Sequence, residues 1–130
     1  MNIGYEVRSL ADVIKLCALR PFKEFIKGQD ELIESICIGL PMRSIIIEKT
    51  VKKWIVLSGL QRMQIITNFY YSGFMLKDLR IDKDLECQCF ATLAPKIRER
   101  ISNTPITCYF LGKTNKDIKP ILIEMMEVWS

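Results

Sequence analysis

Histidine is absent from the 130 residues of this chain. Its absence excludes the Ser-His-Asp and Cys-His arrangements of nucleophilic enzymes, because both need an imidazole to take the proton. It also removes the side chain that most often serves as a general base. Any chemistry must therefore use carboxylates, lysine, arginine, glutamine or backbone amides.

Long apolar runs and a strong excess of charge are also missing. No apolar run approaches the ~20 residues that a membrane-spanning helix needs. The first residues, MNIGYE, lack the basic and then apolar pattern of a secretory signal, so we expect a cytoplasmic location and no membrane partner. The net charge of +4 permits contact with a nucleotide or DNA without the clustered basic excess of a dedicated DNA-binding protein.

The cysteines form an odd set of five, which is not the composition of a disulfide framework. Three of them lie inside apolar runs, where reduced and buried thiols are expected. Cys87 and Cys89 are close enough to suggest a zinc site, but four-ligand zinc sites need a second close pair. The sequence therefore predicts no metal site.

Short apolar segments alternate with helical patterns along the chain, which predicts one domain, residues 1–130, of the α/β (α+β) class. Two β-rich runs at 44–48 and 54–57 are joined by a short polar link and predict a hairpin. The other predicted strands are 5–8, 86–91 and 107–111. Five helices are predicted. The first begins after Ser9 and ends near residue 16, and the others cover 30–40, 60–71, 95–102 and Thr114 to the C-terminus.

The stretch WIVLSGLQRMQII at 54–66 joins a strand to a helix through a small-residue turn. A glycine at this place lets the backbone approach a ligand, and the free amides of a helix N-terminus favour an anion. Arg62 can pair with a phosphate through two N–H groups. The segment therefore predicts a phosphate site that includes Ser58, Gly59, Gln61 and Arg62.

The same spacing has a second interpretation that needs no ligand. Ser58 and Gln61 have the separation of a capping box, in which each side chain satisfies a backbone amide of the first helical turn. Both interpretations stay open from the sequence.

Three segments in register resemble the ParB/sulfiredoxin-like domain at the N-terminus of GmrSD-type modified-DNA restriction proteins. The family has a strand ending in Asp-Gly-Gln-Gln-Arg, and this chain has SGLQR at 58–62. The family's Gln-Arg-Pro-Tyr-x-Trp segment and the helix after it correspond to LRPFKEF at 19–25, LIESI at 32–36 and GLP at 39–41. A later Leu-x-Pro-x-x-Arg-x-x-Ile pattern corresponds to LAPKIRERI at 93–101, so the resemblance covers nearly the whole chain.

The resemblance implies a small mixed sheet flanked by helices and a nucleotide-hydrolysis or nuclease ancestry. It adds Arg20 to the expected phosphate site. The family's acidic position is Ser58 here, and a serine without a base neither holds a metal nor activates water well. We therefore expect a catalytically degenerate ParB-like domain that binds a nucleotide, such as a nucleoside triphosphate with magnesium, or a nucleic-acid phosphate. Its expected role is regulatory or auxiliary, in DNA defence or a mobile element.

Two alternatives remain. A residual nucleoside triphosphatase or nuclease would use Glu24 or Glu34 as a substitute carboxylate, although the helical position of Glu34 also fits a solvated face. A protein-interaction module or homo-oligomer would instead use the apolar residues of the C-terminal helix. Those residues are Met125, Met126, Val128 and Trp129.

Overall fold

The computed structural model describes residues 3–22, 24–71, 73–111 and 118–129, with side chains given through Glu127. Within these ranges the chain forms four strands and five α-helices. In chain order they are β1 (Gly4–Ser9), α1 (Leu10–Leu16), α2 (Gln29–Cys37), β2 (Ile45–Lys49), β3 (Trp54–Ser58), α3 (Leu60–Tyr71), α4 (Pro95–Asn103), β4 (Pro105–Leu111) and α5 (Lys119–Trp129).

The four strands form one mixed sheet in the order β1-β4-β2-β3. β4 is antiparallel to β1 and parallel to β2, while β2 and β3 form the predicted antiparallel hairpin. The α+β class is therefore confirmed. The hairpin matters for function because it places the start of β2 beside the end of β3, where the SGLQR turn begins.

The two faces of the sheet pack against different helices. Ile45 and Ile47 belong to a core cluster that also includes apolar side chains of α1, α2, α3 and α4. Ile46, which points to the opposite face, is only 4% exposed and lines a cavity together with residues of α5. Burial of one aliphatic side chain stabilises the folded chain by about 1.5–3 kcal/mol. The core face therefore holds the sheet firmly against four helices.

The helix boundaries follow local signals closely. Ser9 caps α1 by accepting the backbone N–H of Asp12, as its position predicts. After α2, Gly39 adopts a φ of +90° and Leu40 donates its N–H to the carbonyl of Ser35, which is the closure expected of a glycine-ended helix. α3 covers residues 60–71, the predicted range.

The predicted strand at 86–91 is wrong. The segment contains a turn followed by a short 3-10 helix, Phe90–Thr92. Cys87 has a φ of +64°, a left-handed conformation that interrupts an extended strand. Two backbone hydrogen bonds hold this segment beside Leu76 instead. Cys87 donates its N–H to the carbonyl of Leu76, and Leu76 donates its N–H to the carbonyl of Gln88. The predicted start of the last helix at Thr114 lies outside the described residues.

None of the helices in the described ranges has the length and apolar character that crossing a membrane requires. All five cysteines are free thiols, and Cys17, Cys37 and Cys108 are buried.

Candidate functional site: an arginine-lined pocket at the start of α3

Gly59 forms the turn between β3 and α3. Its φ is +90°, in the region that side chains other than glycine rarely adopt. A Cβ atom built there would lie 2.7 Å from Cγ2 of Ile45 and 2.8 Å from Nη2 of Arg62. Glycine is therefore required at residue 59 for two reasons: the backbone conformation there, and the close approach of two side chains.

Ser58 is the last residue of β3, and the N–H of Met63 donates to the carbonyl of Gly59. Gly59 therefore occupies the cap position of α3, and the capping-box interpretation of Ser58 is wrong. The pairing of Ile46 with Ser58 and of Ile47 with Val56 leaves one extra residue, Leu57, in β3. Such a bulge reverses the direction of the residue that follows it. Ser58 consequently faces α5, and its hydroxyl donates to Oε1 of Glu127 at 2.5 Å.

Arg62 folds back from the first turn of α3 onto the segment that precedes β2. Its Nη1 donates to the carbonyl oxygen of Arg43 at 2.8 Å, and its Nη2 donates to that of Ser44 at 3.0 Å. Partial burial, and then the charge of Arg43, lower the pKa of Arg62, while the charge of Glu127 acts in the opposite direction. A guanidinium remains protonated under such shifts, so Arg62 is a fixed positive charge.

These residues surround a surface pocket of about 440 Å³. Its lining consists of Arg43, Ser58, Gly59, Leu60, Gln61, Arg62 and Glu127. Two arginines, one glutamate and the amino end of α3 therefore line one pocket. A helix amino terminus and nearby arginines both favour an anion, so the pocket is suited to a phosphate or carboxylate group.

Four of the five predicted phosphate-binding residues, Ser58, Gly59, Gln61 and Arg62, line this pocket. Arg20 does not. It is exposed and lines a separate depression with Lys15 and Tyr71. The second arginine of the pocket is Arg43, which sequence reasoning did not select.

The signal for Arg43 was present in the sequence. The hairpin was predicted, and its antiparallel pairing brings the residues just before β2 next to the end of β3. Nothing in the spacing indicates Glu127, because its position depends on how α5 packs across the sheet.

The two proposed substitute carboxylates lie elsewhere. Glu34 is only 3% exposed, so the solvated interpretation is wrong. Its carboxylate accepts the backbone N–H groups of Arg80, Ile81 and Asp82 at 3.0, 2.8 and 2.8 Å. Glu34 thus holds the 80–82 loop against α2, while Glu24 is exposed in the loop that precedes α2.

The buried position of Glu34 affects its protonation. Burial by itself raises the pKa of the carboxyl group, but the three backbone N–H groups and the charge of Lys83 lower it. The net result is a pKa below the ordinary value of 4.5. A carboxylate bonded in this way is a structural anchor rather than a proton acceptor for substrate.

Across the described part of the chain, no group of three or more cysteine, aspartate or glutamate residues is arranged to hold a metal ion. No family model, curated protein or solved structure matches this chain. Fold and pocket together define an α+β domain with an arginine-lined pocket at a strand-to-helix turn.

Proposed function

We propose that this chain is a catalytically degenerate ParB-like domain that binds a phosphate group of a nucleotide or nucleic acid in the Arg43–Arg62 pocket. The observation that carries the proposal is that Arg43, Arg62 and the first turn of α3 line one pocket. Guanidinium groups and a helix amino terminus both favour an anion, and a phosphate can accept hydrogen bonds from them. Regulation or assistance in DNA defence or in a mobile element is the role that the family resemblance suggests.

The pocket supplies enough interactions for phosphate recognition. Two of the five N–H donors of Arg62 are engaged with backbone carbonyls, so at most three can be used by a ligand. Each charge-assisted hydrogen bond contributes about 1.5–3 kcal/mol net. The amino end of α3 adds about 0.3–1 kcal/mol for an anion.

Binding without turnover fits the residues better than hydrolysis does. The position of the family's aspartate is Ser58, whose hydroxyl already donates to Glu127. Glu34 is committed to three backbone N–H groups, so it does not support the alternative of a residual nucleoside triphosphatase or nuclease. A magnesium ion, in this proposal, arrives with the nucleoside triphosphate rather than with a protein site.

Thermal unfolding in the presence of nucleotides, with and without magnesium, and of short DNA at low salt tests the proposal. A ligand that binds only the folded chain at a hundred times its Kd stabilises it by about 2.7 kcal/mol. Arg43→Ala should abolish most of this stabilisation. Arg43 is preferable to Arg62 as the target, because its side chain can be removed without removing the carbonyl that Arg62 binds.

Lys52→Ala is the matched control. It also removes one positive charge, but Lys52 lies in the turn between β2 and β3, at the end of the hairpin opposite Ser58. Stabilisation should survive in this variant. If no nucleotide or DNA stabilises the wild-type chain at low salt, or if the two variants lose stabilisation equally, the pocket is not the binding site.

One observation favours a protein-interaction role as a second function. Ile121 and Met125, one turn apart on α5, are 55% and 59% exposed, and two adjacent exposed apolar side chains on one helix can form part of a contact surface. If this surface mediates self-association, light scattering will detect a dimer that Met125→Ser dissociates. A wild-type chain that stays monomeric at high concentration would contradict the proposed self-association.

A further inference from the structure

Two polar contacts, one near each end of α5, join this helix to the sheet. At one end, Nζ of Lys119 contacts a carboxylate oxygen of Glu48 at 2.7 Å. At the other end, Glu127 accepts the hydroxyl proton of Ser58. Both contacts join α5 to the hairpin.

A cavity lies beneath the helix between these two contacts. Its volume is about 350 Å³, and its apolar lining comes from both sides: Ile46 and Tyr109 of the sheet, and Leu122, Met125 and Met126 of α5. Atoms that border such a space lack partners on one side and lose dispersion contacts. The middle of α5 is therefore less closely packed than the helices on the core face, where Ile33 and Met63 are fully buried.

Glu127 connects this helix to the anion pocket. Ser58 lines both the cavity and the pocket, and Glu127 lines the pocket. Burial and the charge of Arg43 lower the pKa of Arg62, and the negative charge of Glu127 opposes this shift, which shows that Glu127 is close enough to interact with Arg62. A carboxylate of the chain itself thus lies among the groups that would contact an anionic ligand.

We propose that α5 is a built-in competitor for the Arg43–Arg62 pocket: the Glu127 carboxylate holds the helix in place, and a bound phosphate displaces it. This inference rests on the proposed function, because competition requires an anion site. A phosphate group carries more negative charge and more acceptor oxygens than a carboxylate, so it is the stronger partner for the same guanidinium groups. Ligand binding and undocking of α5 are then coupled, so a ligand that binds only the undocked state increases the population of that state.

The size of the effect follows from how often α5 is docked. If the helix is docked about nine-tenths of the time, only a tenth of the molecules can bind, and the apparent affinity is about tenfold weaker than the intrinsic one. Glu127→Gln keeps an oxygen that can accept from Ser58 but removes the charge. We expect this variant to bind inorganic phosphate and ATP about five- to tenfold more tightly than the wild type.

Glu124→Gln is the matched control, because it removes the same charge from an exposed residue of the same helix that borders neither the cavity nor the pocket. Its affinity for both probes should equal that of the wild type. Titration calorimetry on the full chain gives the affinities. Amide hydrogen exchange of α5 gives the state of the helix and separates displacement from a simple change of charge.

Displacement makes one specific prediction for exchange. Saturating ATP should accelerate exchange in α5 of the wild type, and Glu127→Gln should exchange rapidly there even without ATP. If the wild type binds ATP but exchange in α5 stays constant or slows, α5 is not displaced and the inference is overturned, while the proposed function stands. If neither the wild type nor Glu127→Gln binds either probe, both are overturned.

Discussion

The guanidinium group of Arg62 lies where it would meet the first side-chain atom of any residue that replaced Gly59, with 2.8 Å between Nη2 and that atom. The glycine and the arginine of the SGLQR turn are therefore one structural unit. Gly59 provides the space through which Arg62 reaches the two carbonyl groups before β2. This arrangement gives the turn a structural purpose in addition to any ligand it holds.

We expect Gly59→Ala to destabilise the chain by about 2–4 kcal/mol. About 1–2 kcal/mol comes from the left-handed backbone, and the remainder from displacing Ile45, which is fully buried, or Arg62. The free energy of unfolding from urea denaturation measures the loss. Gly39→Ala is the control, since Gly39 has the same φ of +90° and open space around its missing Cβ. Equal losses in the two variants would show that the close contacts at residue 59 are unimportant.

Glu34→Gln should destabilise the chain by about 2–3 kcal/mol, because the amide replaces a buried acceptor of three backbone N–H groups. Glu31→Gln, one turn earlier in α2, should cost less than about 0.5 kcal/mol, since its 3.5 Å contact with Arg80 is exposed. Urea denaturation at neutral pH compares the two. A loss confined to Glu31→Gln would contradict the anchoring role of Glu34.

The lowered pKa of Glu34 also predicts a pH dependence. The unfolded chain takes up a proton near the ordinary value of 4.5, whereas the folded chain does so only at lower pH. The stabilisation from Glu34 is therefore complete above about pH 4.5 and is lost as the pH falls through the folded pKa. Unfolding free energies from pH 7 to 3 should show the wild type converging toward Glu34→Gln, and curves that stay parallel would disprove the prediction.

The five cysteines should differ sharply in their reaction with iodoacetamide. Burial raises the pKa of Cys17 and Cys37 to about 11 and that of Cys108 to about 12, so these thiols stay protonated as well as hidden. Hydrogen bonds from Thr92 lower the pKa of Cys89, and Cys87 is exposed. Mass spectrometry at pH 8 should find two modified residues in the folded chain and five after unfolding. Early modification of the buried three would contradict this packing.

Local chemistry made several elements predictable. Ser9 caps α1 because its side chain satisfies an amide three residues away, and the hairpin follows from two β-rich runs with a short link. Residues 86–91 show the limit of this reasoning. Their alternation resembles a strand, but a strand also needs a neighbouring strand to pair with. Among the described residues, the backbone bonds of this segment to a distant part of the chain go to Leu76, which belongs to a loop.

The residues of the candidate site also differ in whether local sequence patterns predict their positions. Ser58, Gly59, Gln61 and Arg62 are consecutive or nearly so, and one turn brings them to one pocket. Arg20 was assigned through resemblance alone and lines a different depression. Glu34 looked like a surface or site residue because its spacing does not reveal the 80–82 loop that covers it.

The sequence by itself determined the ends of α1, α3 and α4 to within a residue, the hairpin and the glycine turn, because capping, chain stiffness and φ preferences act over a few residues. It also determined that no histidine chemistry occurs. Only the tertiary structure decided that Arg43 joins Arg62, that Glu34 is buried and that Glu127 reaches Ser58. These relationships depend on packing between segments 19 to 69 residues apart, and no local preference specifies which distant surface a side chain will meet.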